Sequence, residues 1–263
     1  MDPVTRVAIV TGASSGIGAA CARQLASAGW SVGLVARRAD VLAELVAEIK
    51  SNGGIAAAAL ADIAEREPTL RAIAKLEADL GPADLLIANA GVGTPTLLEP
   101  MNTPQIERMI RVNLLGVIYS IEGVLSGMLK RGRGHLVAIS SLGAYKGLPG
   151  ESAYCASKMA VNVYMEGLRI QLRRRGVAVT TICPGFVKTP MTDVNPFPMP
   201  WLMDADRAAA LILRAIRRRR KVYNFPWQTS LLMKLTRWLP DWLVARIMHG
   251  YDENPPIDPR LGV

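Results

Sequence analysis

Two side chains that can exchange a proton stand four residues apart in the second half of the chain. Tyr154 and Lys158 lie in a segment with helical spacing, where residues four apart share one face. A tyrosine with its ordinary pKa of about 10 is a poor base at neutral pH. A neighbouring ammonium group favours the phenolate and lowers that pKa, so the pair can work as an acid–base centre. Tyr/Lys pairs with this spacing also occur on solvated helix surfaces. The surrounding residues must therefore show whether this pair belongs to an acid–base centre.

Further polar residues are expected beside this pair. Ser140 and Ser141 end a predicted strand directly before the helix, where a hydroxyl group can hydrogen-bond a substrate oxygen next to Tyr154. Asn113 stands in the apolar stretch VNLL of another predicted helix, and a buried amide needs hydrogen-bond partners. Together these residues indicate a polar centre inside the fold.

A glycine-rich stretch near the start of the sequence predicts a nucleotide site. Residues 11–18 read TGASSGIG, follow an apolar run and precede a helical segment. A strand, a glycine turn and a helix cradle a dinucleotide phosphate, because the helix start presents free N–H groups and the positive end of its dipole. Gly12 would allow the sharp turn, Gly16 the approach of the pyrophosphate, and Gly18 the packing of helix on strand. A glycine turn without a ligand is the alternative.

The residues that follow the second predicted strand select the cofactor. An NAD enzyme usually carries an acidic residue there, which holds the ribose hydroxyls. This chain has Arg37 and Arg38 instead. Arg37 can pair bidentately with a ribose phosphate and stack on adenine, so we expect NADP(H); a solvated surface arginine is the alternative. Asp40 is predicted to cap the next helix rather than to bind ribose.

Three more strand ends carry candidate cofactor residues. Asp62, after the third predicted strand, can accept a hydrogen bond from an adenine amino group. Asn89 follows the fourth strand, where it can meet the cofactor or equally fix a turn. Gly185 ends the sixth strand, and residues 186–189 after it can offer backbone and hydroxyl groups to a carboxamide.

Strand patterns alternate with helical patterns along most of the chain. Several strands are near-continuous apolar runs, as expected when helices cover both faces of a parallel sheet. The predicted strands cover residues 5–11, 31–36, 55–60, 85–88, 135–140, 177–183 and 221–225. The predicted helices cover residues 17–28, 40–52, 67–80, 103–131, 152–175 and 204–219. We expect an α/β fold with a doubly wound, Rossmann-like parallel sheet in residues 1–225, followed by a C-terminal helical extension in residues 226–263.

The composition limits the class of protein. The chain has 263 residues, of which 50% are apolar, enough to bury one α/β core. No uncharged apolar run reaches the roughly 18 residues of a membrane span, and the first predicted strand starts near residue 6. Three cysteines without a C-x-x-C pair, and only two histidines, predict free thiols and no metal site. We therefore expect a cytoplasmic protein without a signal peptide.

Basic clusters carry much of the net charge of +9. They lie at residues 130–133, 173–175 and 214–221, at the ends of predicted helices, where cations stabilise the helix dipoles. No nucleic-acid-binding module accompanies them, so we expect no nucleic-acid partner. An anionic membrane surface or an acidic protein partner is the alternative use of these clusters.

In this order and spacing, the motifs resemble the short-chain dehydrogenase/reductase superfamily. The resemblance is carried by residues 11–18, Asn89, Ala90, Gly91, Asn113, Ser141, Tyr154 with Lys158, and Pro184 with Gly185. It covers about residues 5–225, and Ala88 stands where many members carry a second asparagine. The resemblance implies an NADP(H)-dependent oxidoreductase that transfers a hydride between nicotinamide and a carbonyl or secondary-alcohol carbon of a small-molecule substrate.

The resemblance also implies roles for individual residues. Tyr154 would be the acid–base residue, and Ser141, thirteen residues before it, would orient the carbonyl group. Lys158 would hold the nicotinamide ribose and lower the pKa of the tyrosine, and Asn113 would support a water that relays protons to the lysine. The cofactor would bind to Gly12, Ser14, Ser15, Gly16, Ile17, Gly18, Arg37, Arg38, Asp62, Ile63, Asn89, Ala90, Gly91, Tyr154, Lys158, Pro184, Gly185, Val187 and Thr189. Residues 186–203 would form a substrate lid, and helices 103–131 and 152–175 the interfaces of a homodimer or homotetramer.

The C-terminal extension carries two predicted amphipathic helices within residues 228–249. Leu231, Leu235 and Trp238 share one face of the first helix. This face would pack on the domain, on a partner subunit or over the active site, or it would meet a membrane surface through its tryptophans and nearby cations. The tail at residues 252–263 has no regular pattern.

The apolar residues of the extension and of the 186–203 loop predict a lipophilic substrate. Those of the loop are Met191, Phe197, Met199, Trp201, Leu202 and Met203. A 3-oxoacyl-carrier-protein reductase is an alternative, because basic patches can bind an acidic carrier. An NADP(H)-binding sensor without turnover is a second alternative, although the complete polar set around Tyr154 argues for an enzyme, since a sensor needs no proton chemistry.

Overall fold

A parallel sheet forms the centre of the molecule in the computed structural model, which describes residues 6–193 and 198–247. The strands are β1 (Val7–Thr11), β2 (Ser31–Ala36), β3 (Ile55–Leu60), β4 (Leu85–Ala88), β5 (Gly134–Ile139), β6 (Val177–Pro184) and β7 (Val222–Phe225). The helices are α1 (Gly16–Ser27), α2 (Ala39–Ser51), α3 (Arg66–Leu80), α4 (Thr103–Ile110), α5 (Gly116–Arg131), α6 (Ser152–Leu172), α7 (Ala205–Arg217), α8 (Trp227–Thr236) and α9 (Asp241–Ile247). The strand order is β3-β2-β1-β4-β5-β6-β7, so the expected doubly wound, Rossmann-like fold is confirmed.

Two apolar layers cover the sheet because alternate strand residues point to opposite faces. Ala8 and Val10 pack with residues of α1, α2 and α7, whereas Ile9 between them packs with residues of α3, α5 and α6. All three side chains are fully buried. Since both faces are covered, polar side chains gather at the edge of the sheet where the strands end.

The long helix predicted at residues 103–131 is interrupted in the structure. A π-helical segment, Arg111–Leu115, separates α4 from α5, and Asn113 lies at its middle. Such segments insert an extra residue into a helical turn and are frequent at functional sites. The spacing of apolar residues does not reveal this change. By length and composition the whole stretch Thr103–Arg131 would be able to cross a membrane, but here its α5 part packs with α3 against the sheet.

The start of α2 also differs from the prediction. The helix begins at Ala39 with Arg38 in the cap position, so the expectation that Asp40 caps the helix is wrong. Asp40 lies instead in the first turn, where its carboxylate still interacts favourably with the positive end of the helix dipole. The Arg38 side chain turns towards the glycine stretch, where it donates to the carbonyl oxygen of Ser14.

The C-terminal extension forms the two short helices that the sequence predicts. α8 follows β7 after a single residue, Pro226, and α9 begins at Asp241. Phe197 of the loop and the tail at residues 252–263 lie outside the described residues.

His135 is a buried polar residue of the sheet. Its Nε2 lies 2.8 Å from the hydroxyl oxygen of Thr180, which donates its own proton to the carbonyl oxygen of Arg220 at 2.6 Å. The imidazole nitrogen must therefore be the donor in the first contact. Burial, followed by the positive charge of Arg219, lowers the pKa of His135 to about 4.

We expect His135 to make the fold sensitive to acid. The unfolded chain, in which the histidine has its ordinary pKa of about 6.5, binds more protons than the folded chain as the pH falls from 6.5 towards 4. The stabilising contribution of neutral His135 is therefore lost over this window. Urea unfolding of wild type and His135→Gln should show a stability difference that is about 2 kcal/mol smaller at pH 5 than at pH 7.5. A difference that does not change with pH would contradict this assignment.

Candidate active site

A cavity of about 540 Å³ opens at the carboxyl edge of the sheet, where an open α/β sheet usually binds its ligand. Nearly all the predicted site residues line it. They are Gly12, Ser14, Ser15, Gly16, Ile17, Arg37, Arg38, Asp62, Ile63, Asn89, Ala90, Gly91, Ser141, Tyr154, Lys158, Pro184, Gly185, Val187 and Thr189. Gly18 and Asn113 lie behind the wall rather than on it.

The glycine turn after β1 has the backbone that its residues predict. Gly12 and Gly16 have φ angles of 66° and 53°, in the left-handed region that favours glycine. A Cβ on Gly18 would lie 2.4 Å from the carbonyl oxygen of Gly12, so Gly18 serves the packing of α1 on the turn. Ser15 at the start of α1 makes no side-chain cap, and no acidic residue lies in the first turn. The first N–H groups of α1 are thus open to an anion in the cavity.

Asn89 ties the glycine turn to the end of β4. Its side-chain amide donates to the carbonyl oxygens of Thr11 at 3.0 Å and Gly12 at 3.3 Å. The Thr11 hydroxyl oxygen in turn accepts from the backbone N–H groups of Asn89 and Ala90. These bonds favour the alternative in which Asn89 fixes the end of the strand, although its surface also forms part of the cavity wall.

Basic side chains surround one end of the cavity. Arg38 donates to the hydroxyl of Ser14 at 2.8 Å and to its carbonyl oxygen at 3.1 Å, which braces the glycine turn. Arg37 also lines the cavity, and among the described residues none accepts a hydrogen bond from its guanidinium. This end of the cavity therefore offers one braced and one available guanidinium.

Asp62 is held by an arginine that the sequence analysis missed. Its carboxylate accepts from Arg108 of α4 and from the N–H of Ala64 at 3.0 Å. Burial raises the pKa of Asp62, but these hydrogen bonds and the charge of Arg108 outweigh it and hold the pKa below its ordinary value. Asp62 is therefore an ion-paired carboxylate on the wall. No local sequence pattern relates two residues 46 positions apart, so this pair was not predictable.

Asn113 finds the partners that a buried amide needs. Its Oδ1 accepts from the N–H of Val92 at 2.8 Å, and its Nδ2 donates to the Val92 carbonyl oxygen at 2.9 Å and to the Ser157 hydroxyl at 3.0 Å. The π-helical segment thus joins the loop after β4 to α6. Because Gly91 is adjacent, a Cβ there would lie 3.2 Å from both Asn113 Oδ1 and Lys158 Nζ. The amide and the ammonium group therefore flank the same glycine.

Tyr154, Lys158 and Ser141 meet at the other end of the cavity. The Lys158 Nζ donates to the carbonyl oxygen of Ile139 at 3.1 Å and lies 5.9 Å from the centre of the Tyr154 ring. The Ser141 hydroxyl oxygen accepts from the N–H of Gly143 at 3.0 Å. Ser140 points away, since its hydroxyl donates to the carbonyl oxygen of Lys158 at 3.1 Å. Of the two serines, Ser141 is the one on the side of the tyrosine.

The pKa values in this cluster differ from the sequence-based expectation. Burial raises the pKa of Tyr154 to about 12, and the hydrogen bond with Ser141 opposes the rise only in part. Burial also lowers the pKa of Lys158 to about 8. In this structure burial outweighs the effects that lower the pKa of the tyrosine, whereas the role that the resemblance implies for Lys158 stays a prediction. At neutral pH the phenol keeps its proton.

Glu151 and Gly93 are two further residues beside the tyrosine that the sequence analysis did not single out. Burial raises the pKa of Glu151 to about 7, and its charge raises that of Tyr154. Glu151 stands three residues before Tyr154, a helical spacing that would have pointed to it. Gly93 leaves space in front of the ring, since a Cβ there would lie 3.6 Å from Tyr154 and 3.7 Å from the sulfur of Met191.

Comparison with known proteins agrees with this geometry. The chain matches the short chain dehydrogenase family over residues 6–196. It belongs to that family. An uncharacterized oxidoreductase of Myxococcus xanthus is 40% identical to this dehydrogenase over 236 residues, which cover 90% of this chain and 93% of the relative.

Solved structures extend the comparison. A variant of the actinorhodin polyketide ketoreductase with NADPH is 27% identical, with a TM-score of 0.79, and the match covers 86% of this chain and 97% of that one. A short-chain dehydrogenase/reductase from Burkholderia phymatum in complex with NAD is 24% identical, with a TM-score of 0.81 over 96% and 98% of the two chains, and shows the shared fold. The chain is therefore an oxidoreductase of a family that uses a nicotinamide cofactor, acts on small molecules and generally forms oligomers.

The cavity of this dehydrogenase fits a nicotinamide dinucleotide. Uncapped N–H groups at the start of α1 suit a pyrophosphate, and Gly12, Gly16 and Gly91 keep the wall free of side chains. The guanidinium of Arg37 lies at one end, and the Tyr154–Lys158 cluster lies at the other. The two ends thus offer phosphate-binding and proton-transfer groups on one continuous wall.

We expect Asn113→Leu to destabilise the dehydrogenase. Leucine has a similar size but leaves the N–H and carbonyl groups of Val92 without their side-chain partners, a loss of about 2–4 kcal/mol in the free energy of unfolding. Asn52→Leu is the matched control, because the Asn52 amide donates only at the exposed end of α2, to Glu48. Urea unfolding measures both variants, and equal losses would contradict a structural role for the Asn113 network.

Proposed function

We propose that this chain is an NADP(H)-dependent reductase of lipophilic carbonyl compounds, with Tyr154 as the proton donor. The observation that carries the proposal is the position of Tyr154 on the cavity wall beside Ser141 and Lys158, where burial raises the pKa of its phenol to about 12. A phenol that keeps its proton suits the reductive direction, in which a carbonyl oxygen must gain one. The secondary alcohol would be the product.

The chain's own residues account for the proton transfer. The bound cofactor supplies the hydride that adds to the carbonyl carbon. Ser141, whose oxygen already accepts from Gly143, would donate its hydroxyl proton to the substrate oxygen and orient it. Tyr154 would then release its proton to that oxygen as the negative charge develops. Lys158, with a pKa of about 8, is mostly protonated at neutral pH, and its charge would stabilise the phenolate that remains.

Three observations support NADP(H) rather than NAD(H). The two residues directly after β2 are Arg37 and Arg38 rather than an acidic residue. Arg38 braces the glycine turn, which leaves Arg37 to pair with a ribose phosphate. Asp62, which would otherwise repel that phosphate, is neutralised by Arg108. Val187 and Thr189, which the resemblance to the family assigns to the cofactor, line the cavity. They would hold the carboxamide group of the nicotinamide.

Apolar residues beside the tyrosine support a lipophilic substrate. Met191 lies on the wall opposite Gly93, and Met203 is buried and hydrogen-bonds through its backbone to Lys188 and Phe186. Of this loop, Val187, Pro190 and Met191 line the cavity together with Thr189, Thr192 and Asp193, so its part of the wall is apolar only in part. Val163 and Ile170 are exposed on α6, which supports the homodimer or homotetramer that the family implies. The oligomeric state stays a prediction. The cytoplasmic location also stays a prediction.

We expect Tyr154→Phe to lose turnover and keep the cofactor. NADPH consumption is measured against ketones and aldehydes of rising chain length. Wild type should be faster with longer chains, and Tyr154→Phe should be about 10²–10⁴-fold slower on every substrate because it lacks the proton. NADPH should still raise the thermal midpoint of the variant. Tyr164→Phe on the same helix is the matched control and should keep wild-type turnover; a Tyr154→Phe protein with undiminished turnover would refute the mechanism.

We expect Arg37→Asp to move the cofactor preference towards NADH. The loss of a charge-assisted contact to the ribose phosphate, and the repulsion by the new carboxylate, should change the ratio of kcat/KM for NADPH and NADH by about 1–3 kcal/mol. Arg71→Asp, an exposed arginine of α3, makes the same change in net charge and should leave the ratio unaltered. An unaltered ratio in Arg37→Asp would remove Arg37 from the cofactor site.

A further inference from the structure

Helix α8 points its apolar side chains away from the protein. Thr229 and Ser230 are buried, whereas Trp227 and Leu235 are 71% and 57% exposed. Residues 227, 231, 235 and 238 follow the spacing of one helix face, and Trp238 just after the helix is 85% exposed. A helix that only packed on the domain would have the opposite orientation. The packing of this face on the domain, one of the predicted alternatives, is therefore wrong.

Helix α9 also exposes large apolar side chains. Val244 is buried and anchors the helix, while Trp242 and Ile247 are 69% and 66% exposed. We call Trp227, Leu231, Leu235, Trp238, Trp242 and Ile247 together the α8–α9 surface. Large exposed apolar side chains concentrated on two neighbouring helices in the sequence are typical of an interaction site.

The α8–α9 surface is attached to the substrate end of the cavity. Pro226, just before α8, lies against Gly185 of the cavity wall, where a Cβ on the glycine would come within 3.1 Å of it. Lys146, between Ser141 and Tyr154 in the sequence, donates to the carbonyl oxygen of Leu239 and to Asp241. The surface and the tyrosine are thus held on the same edge of the sheet.

Exposed apolar residues also lie in a loop that is bonded to the start of α6, the helix that carries Tyr154. Leu98 and Met101 are exposed in the loop after β4. This loop is fixed to the start of α6 by a bond from the N–H of Thr96 to the carbonyl oxygen of Gly150 and by one from the N–H of Ala153 to the Thr96 hydroxyl. Apolar groups therefore border the helix that carries Tyr154 as well as the extension.

The charges around the α8–α9 surface are positive. Lys234, Arg237 and Arg246 are exposed beside the tryptophans. Asp241 is the only acidic residue in the sequence from 226 to 247, and it is paired with Lys146. An anionic partner is complementary to this arrangement. A second copy of the chain would, in a two-fold interface, bring the same cations close to one another.

We propose that the α8–α9 surface docks on the surface of an anionic lipid bilayer. Tryptophans with an apolar ring and a polar N–H prefer the membrane interface, and flanking lysines and arginines bind anionic headgroups. The leucines enter the acyl boundary while the cations stay at headgroup level. This docking also has a consequence that rests on the proposed function. Substrates dissolved in the lipid layer would reach Tyr154 from the docked face.

Vesicle binding of the full chain tests the proposal without reference to turnover. The protein is sedimented with phosphatidylcholine vesicles that contain or lack phosphatidylglycerol. We expect binding to the anionic vesicles, a smaller bound fraction at high salt, and a blue shift of the tryptophan emission on binding. Leu235→Ser and Trp238→Ser should each weaken binding about tenfold or more, because each removes apolar area from the contact.

A matched control distinguishes binding through the α8–α9 surface from non-specific binding through any exposed apolar side chain. Ile55→Ser removes an apolar side chain that is 52% exposed on the edge strand β3, close to the 57% of Leu235. Ile55→Ser should bind vesicles like wild type. All three variants should reduce a water-soluble ketone at the wild-type rate, because none of them lies on the cavity wall.

Three results would overturn the proposal. The first is no binding to either vesicle, and the second is equal binding by wild type and Leu235→Ser. The third is self-association that Leu235→Ser abolishes in a chain that does not bind vesicles, which would assign the surface to a second copy. Vesicle binding by the inactive Tyr154→Phe protein would support docking whatever the outcome for the reaction, so the two proposals fail separately.

Discussion

The close approach of the glycine turn to the end of β4 is the contact on which the site depends. A Cβ on Gly12 would lie 2.6 Å from the backbone of Ala90, so only glycine permits the two strand ends to meet. Asn89 then fixes the contact by donating from its backbone N–H to the Thr11 hydroxyl oxygen and from its side-chain amide to the Thr11 carbonyl oxygen. Because β1 and β4 are neighbours in the sheet, the start of α1 and the loop after β4 come to share one cavity. This junction positions the glycine turn and the loop after β4, on which several of the proposed cofactor-binding residues lie.

Removal from water sets the protonation states at the reacting end. The same burial raises the pKa of Tyr154 and lowers that of Lys158, so each group tends towards its neutral form. In such surroundings a charge that does form interacts strongly with its neighbour. A phenolate produced by proton transfer would therefore gain more from the lysine than it would in water. The Asn113 network and the carbonyl oxygen of Ile139 hold the loop after β4 and the ammonium group in place for this purpose.

The extension shows a different use of apolar side chains. In the sheet, alternate residues of β1 are buried by helices on both faces, and the resulting core is closed. In α8 the small polar residues face the domain and the leucines face outward, which in water alone is unfavourable. The helix is nevertheless fixed beside the cavity by Lys146 and Pro226. A firm attachment combined with an outward apolar face is the pattern of a docking element rather than of a core element.

The sequence alone predicted the fold and most of the residues that line the cavity, but not Arg108 or Gly93. The apolar runs predicted β2, β3 and β4 with the bounds that the structure has, and the glycines at 12 and 16 have the positive φ angles that their turn requires. These signals are local, because a strand pattern or a tight turn is set by residues next to one another. Only the tertiary structure decided the π-helical segment at Asn113, the pairing of Asp62 with Arg108, the raised pKa of Tyr154 and the outward face of α8. Each of these features depends on distances between residues far apart in the chain and on how much water the fold excludes. The spacing of residues along the sequence gives neither quantity.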